Sequence, residues 1–91
     1  MPGKSMQTSA PAQPAPDNSE VSSVLTNNLV QTRTFKNNPQ LLKVEITTIV
    51  AENNRKVVKV YLKNGKVKEL PEGKISDPLT ETADNILKAV E

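Results

Sequence analysis

Cysteine, histidine and tryptophan are absent from this 91-residue chain, and its aromatic side chains are one tyrosine and one phenylalanine. Without a thiol or an imidazole there is no Cys/His zinc site, no thiol nucleophile, no dithiol redox pair and no imidazole base for a serine triad. The commonest catalytic constellations are thereby excluded. Carboxylate or lysine chemistry stays open by composition, since ten acids and twelve bases are present, but no spacing sets two acids in a shared apolar pocket. The expectation is a non-catalytic protein with no catalytic residues, cofactor or metal.

Long apolar runs are missing as well. No stretch approaches the roughly 18 consecutive apolar residues of a membrane span. The segment from Met1 to Gln7 has one lysine and no apolar run after it, so no signal peptide is expected. The lack of disulfides suits a reducing compartment without requiring one, which makes the cytoplasm the default placement. Residues 1 to 20 contain no Val, Ile, Leu, Phe or Tyr, whereas residues 21 to 91 carry twenty-two Val, Ile or Leu together with Phe35 and Tyr61.

The core therefore belongs to the second part, and the expected organisation is a disordered Pro/Ala/Ser/Gln-rich tail over 1–18 followed by one small domain over 19–91. A segment such as MPGKSMQTSAPAQPAPDN buries too little apolar surface to offset its ordering entropy. Pro11 and Pro14 have the PxxP spacing of a polyproline docking segment, but no base flanks them and a plain spacer explains them as well. A domain of this size buries only ~60% of its unfolded surface, which favours a thin two-layer build with an aliphatic interior.

Secondary-structure signals sharpen along the chain. Asp17, Asn18 or Ser19 can cap a helix, and Val21, Val24, Leu25 and Leu29 share one face at helical spacing, predicting a short N-terminal helix near 19–28. The next stretch alternates and predicts a strand near 30–36. Leu41 to Val50 alternates with Leu42, Val44, Ile46, Thr48 and Val50 on one face and Lys43, Glu45, Thr47 and Ile49 on the other. After a turn at Glu52-Asn53-Asn54, Val58, Val60 and Leu62 alternate against Val57, Lys59, Tyr61 and Lys63.

Asn64-Gly65 then marks a hairpin, read as a two-residue type I′ turn that pairs Leu62 with Val67 inside and Tyr61 with Lys68 outside. Pro71 ends the return strand. Asp77-Pro78 starts a helix whose stripe is Leu79, Ala83, Ile86, Leu87 and Val90. The predicted fold is α+β: a small antiparallel meander of three strands, or four if Gln31 to Phe35 joins an edge, with the C-terminal amphipathic helix packed on one face.

Charge carries the functional signal. Residues 36–74 hold nine bases against four acids, a net of +5, while residues 75–91 have a net of −3. On this reading Lys43, Lys59, Lys63 and Lys68 surround Tyr61 on the outer sheet face, which makes these five residues the candidate binding face. Ammonium groups around one ring suit nucleic-acid binding, by phosphate contact and base stacking. The same lysines also suit a solvated face that discourages edge pairing. Because only two arginines and one candidate stacking ring are available, the favoured function is a small interaction module or accessory subunit that binds a protein partner through a sheet edge or face, a homodimer through an edge included. The alternative is a nucleic-acid-binding module.

Overall fold

In the computed structural model, which describes residues 7–8 and 17–91, the strands β1 (Gln7–Thr8), β2 (Ser19–Leu25), β3 (Leu29–Phe35), β4 (Leu41–Ile49), β5 (Arg55–Leu62) and β6 (Val67–Leu70) pair antiparallel in sequence order. Strands β2 to β6 form the five-stranded body of the sheet, and the two-residue β1 adds to the outer side of β2. The helix α1 (Ala83–Ala89) follows. The α+β class with a C-terminal helix agrees with the sequence, and the strand count exceeds the three or four expected. Of the stretch expected to be a tail, Gln7 and Thr8 pair with β2, Asp17 and Asn18 form the turn that enters it, and the remainder lies outside the described residues.

The predicted N-terminal helix is a strand. Its helical spacing is outweighed by a run of weak helix formers, and Ser19–Leu25 instead pairs residue by residue with Phe35–Leu29. A lone helix of ten residues is marginal in water, whereas this ladder meets an existing sheet. The loop Thr26-Asn27-Asn28 closes the hairpin, with Thr26 N–H donating to the Asn28 carbonyl at 3.0 Å.

Two register details differ from the predicted alternation. Leu41 pairs with Leu62 and Lys43 with Tyr61, so Leu42 is the extra residue of a β-bulge. Leu41 is therefore fully buried, and Leu42, expected inside, is 40% exposed. The second difference lies at Asn64-Gly65. Tyr61 pairs with Val67 and Val60 with Lys68, one residue away from the two-residue-turn register. Leu62 N–H donates to the Lys66 carbonyl at 2.9 Å, which leaves Lys63, Asn64 and Gly65 as a three-residue loop. Gly65 alone among them has positive φ, at 93°, the arrangement of a type I turn closed by a glycine bulge rather than a type I′ turn. Because strand side chains alternate, this slip sends Val67 outward, 51% exposed, and turns Lys68 toward the helix side.

The inner face carries the core of Phe35, Leu41, Val44, Ile46, Val58, Val60, Leu70, Ala83 and Ile86, with Leu62, Ile75, Leu79, Leu87 and Val90 packed against it. At its centre stands Arg33, fully buried. Its Nε donates to Ser19 Oγ at 2.9 Å, and Nη1 donates to the carbonyls of Pro78 and Glu81 at 2.7 and 2.6 Å. The guanidinium also lies 4.4 Å from the Phe35 ring centroid.

This contact explains why α1 is shorter than its sequence stripe. In a helix beginning at Pro78, the carbonyls of Pro78 and Glu81 would accept from Thr82 and Asn85. Arg33 takes both. Asp77 caps only a turn, accepting from Leu79 N–H at 3.1 Å, and the helix restarts at Thr82, whose Oγ1 accepts from Asn85 N–H. Asp17 Oδ2 accepts from Ala83 N–H at 2.7 Å, placing a carboxylate at the helix start. The chain segment before β2 and the last helix are thus joined across the domain.

Candidate functional site

The outer face of the sheet is uncovered by any described element, and three cross-strand rows, with the pair Ile49–Arg55 beyond them, compose it. One row reads Glu20, Thr34, Lys43, Tyr61, Val67; the next reads Ser22, Thr32, Glu45, Lys59, Glu69; the third reads Val24, Val30, Thr47, Val57. Of the five residues expected to form a binding face, the structure brings together Lys43, Lys59 and Tyr61. Lys63 sits in the hairpin loop, its N–H donating to the Gln40 carbonyl at 2.9 Å. Lys68 shares its row with Val60 on the other face. The one-residue slip at Gly65 removes it from the group.

The remaining trio is electrostatically balanced. Lys59 lies between Glu45 and Glu69, its partners on the two neighbouring strands. Lys43 Nζ sits 4.8 Å from the Tyr61 ring centroid, and Tyr61 Oη donates to Glu45 Oε1 at 3.3 Å. Partial burial, followed by the Glu45 carboxylate, raises the Tyr61 phenol above its ordinary value. A phosphate approaching Lys59 meets two carboxylates, and one face of the ring already carries an ammonium. The excess positive charge of residues 36–74 resides elsewhere: Lys63 lies in the loop and Lys66 follows it, Lys68 stands exposed on the opposite face of the sheet, and Lys74 follows β6.

The two lateral edges of the sheet differ more than its faces do. At one end β6 has four residues and carries Lys68, with Lys66 just before it. At the other end β2 has seven residues in unbroken register with β3, with no lysine, arginine, proline or bulge, and Glu20 as its one charge. Lys36 N–H donates to the Asn18 carbonyl at 3.3 Å, so the even-numbered residues of β2 form the hydrogen-bonded pairs with β3. The backbone groups of Val21 and Leu25 accordingly point away from β3, toward the edge. Among natural edges, short length and lysines are protective, and a long neutral strand without them is open to pairing. Strand β1 already uses this property, pairing Gln7 with Val24 and Thr8 with Ser23.

No family model, curated protein or solved structure matches this chain. Its site must be read from its own geometry. Among the described residues no group of three or more acidic side chains is placed to hold a metal ion. A cleft of about 320 Å³ lies under the segment that crosses from β6 to α1, with an aliphatic floor of Ile46, Val58, Ile75 and Leu79 and with Lys56, Glu72 and Asp77 among its polar lining. Lys56 Nζ donates to Thr48 Oγ1 at 3.4 Å, and Asp77 holds its turn. No helix among the described residues is long and apolar enough to cross a membrane.

Sequence reasoning missed the β2 edge because Ser19–Leu25 was read as a helix, and missed Arg33 because an arginine reads by default as exposed. A signal for both was present. Leu29, Gln31, Arg33 and Phe35 alternate on one face, and continuing that strand logic backward through Val21 and Ser19 places an arginine among apolar neighbours.

Proposed function

We propose that this protein is a non-catalytic interaction module that receives an extended segment of a protein partner along the outer side of β2. The observation that supports the reading is β2 itself, a seven-residue strand without lysine, arginine or proline that already takes an added strand, β1, at Ser23 and Val24. Strand addition supplies affinity through main-chain hydrogen bonds and needs no deep pocket, which suits a small domain with a thin core. The nucleic-acid alternative is less well supported, because Glu45 and Glu69 flank Lys59 and because Lys68 stands on the opposite face of the sheet from Tyr61.

Proline substitution tests the edge directly. Val21 uses its N–H toward the edge and not toward β3, so Val21→Pro should leave the internal ladder intact while abolishing capture of partners. Glu69→Pro, its counterpart on β6, should leave capture unchanged. Partners retained equally by Val21→Pro would overturn the assignment. Salt-sensitive binding of a short oligonucleotide, lost in Lys59→Ala, would move the nucleic-acid reading ahead.

A further inference from the structure

We infer that β1 is a tethered competitor for the β2 edge, displaced by an extended partner segment that sets β-branched or aromatic residues opposite Val24 and Leu25; this rests on the strand-acceptor reading above. The register shows what β1 holds. Thr8 stands opposite Ser23 and Gln7 opposite Val24. Because the odd-numbered residues of β2 turn their backbone groups away from β3, Thr8 and Ser23 form the hydrogen-bonded pair with β1, and Gln7 and Val24 the non-hydrogen-bonded one. Ser23 is thus already partnered from within the chain.

The hold is short and brings no apolar residue. Strand β1 has two residues, a glutamine and a threonine, against the seven of β2. Val24 and Leu25 remain 44% and 45% exposed. Cross-strand pairs of aromatic and β-branched residues stabilise added strands, and Val24 begins an outer-face row that continues through Val30, Thr47 and Val57. A partner residue of that kind opposite Val24 extends the row, and Gln7 does not. In favour of β1 is its tether. It precedes β2 in the same chain, and a short tether gives an effective concentration on the order of millimolar. A free segment therefore binds with an affinity lowered by the fraction of molecules from which β1 has departed.

The absence of cysteine allows β1 to be locked in place. Residues at a non-hydrogen-bonded antiparallel pair have Cα atoms about 4.5 Å apart, within the range of about 4.4–6.8 Å that a disulfide spans. The full chain carrying Gln7→Cys and Val24→Cys should form an intramolecular disulfide under mild oxidation. The probe is a synthetic peptide of residues 4–10, with and without Gln7→Val, titrated by fluorescence anisotropy. The oxidised chain should bind neither peptide, and its reduced form should bind both. Thr8→Pro, which removes the N–H that Thr8 donates to Ser23, should raise the affinity of the full chain for both peptides roughly tenfold or more, with the Gln7→Val peptide the tighter of the two. Failure of the disulfide to form, equal binding by the oxidised and reduced chains, or no gain from Thr8→Pro would overturn the competitor. A Gln7→Val peptide no tighter than the native one would overturn the partner chemistry. The strand-acceptor reading stands or falls separately on the Val21→Pro capture experiment, so the two failures are distinguishable.

Discussion

The two faces of this sheet are built from the same alternating strands and solve opposite problems. The inner face holds the apolar core and, among the described residues, one buried cation, Arg33. The outer face is wet, with Lys43, Lys59 and Arg55 interleaved with Glu20, Glu45 and Glu69. On the inner side a charge is tolerated because its donors are matched, to Ser19, Pro78 and Glu81, and because Asp17, Asp77 and Glu81 partly offset the burial that lowers the Arg33 pKa. On the outer side single ion pairs stand in water, where each contributes little. Burial, and not the number of charges, decides which of them governs the structure.

The largest effect is expected at Arg33. Arg33→Ala should cost about 3–5 kcal/mol, since it leaves a cavity and strips a buried carbonyl, a part-buried carbonyl and a buried hydroxyl of this donor. Arg33→Lys should not restore this stability, because an ammonium lacks the planar fork that reaches Ser19 and both carbonyls at once. Chemical denaturation measures the loss. Amide exchange at Ala83 and Ile86 should rise with it, since Arg33 holds the segment that leads into α1. A melting curve unchanged from wild type would show that the buried guanidinium is dispensable.

Next in size is the hydrophobic part of the same face. Ile86 is fully buried, so Ile86→Ala should cost about 2–5 kcal/mol, whereas the half-buried Leu87→Ala should cost less. The reverse order, read from denaturation midpoints, would mean that α1 presents a different side to the sheet.

The smallest effect belongs to the outer face. Tyr61→Phe should change stability near neutral pH by less than about 1 kcal/mol, because its hydrogen bond to Glu45 is partly exposed. Its pH signature is more diagnostic. The phenol is held above its ordinary value of 10.0 in the folded state, so the fold binds that proton more tightly than the unfolded chain does. The stability this contributes is complete below the unfolded value and declines as pH rises through the higher folded one. Stability measured from pH 9 upward should therefore fall less steeply in Tyr61→Phe than in wild type, and equal slopes would show that neither burial nor Glu45 holds the phenol above its ordinary value.

Much of the β4 to β6 region was legible in the sequence because its information is local. Period-two alternation marks Val44, Ile46, Val58 and Val60 as inward, positive φ at Asn53 and Asn54 suits asparagine in the turn between β4 and β5, and Pro71 closes β6. The apolar stripe of α1 was equally visible. The candidate site was legible only in part. Lys43, Lys59 and Tyr61 follow from alternation along single strands, but the carboxylates that balance them come from their pairing partners, which alternation along one strand does not name.

Composition and short-range periodicity, which act within a few residues, suffice for the α+β class, the location of the core after residue 20, and the absence of thiol and imidazole chemistry. Tertiary structure decided the rest. Whether Ser19–Leu25 is helix or strand was settled by its ladder with β3, the inside position of Leu41 by the bulge against β5, and the start of α1 by a guanidinium 45 residues before Pro78 that takes the carbonyls its first turn would need. Each of these choices depends on a hydrogen-bond partner remote in sequence. Local propensity differs between the alternatives by only about 1 kcal/mol per residue or less, so the partner that satisfies the buried backbone groups prevails.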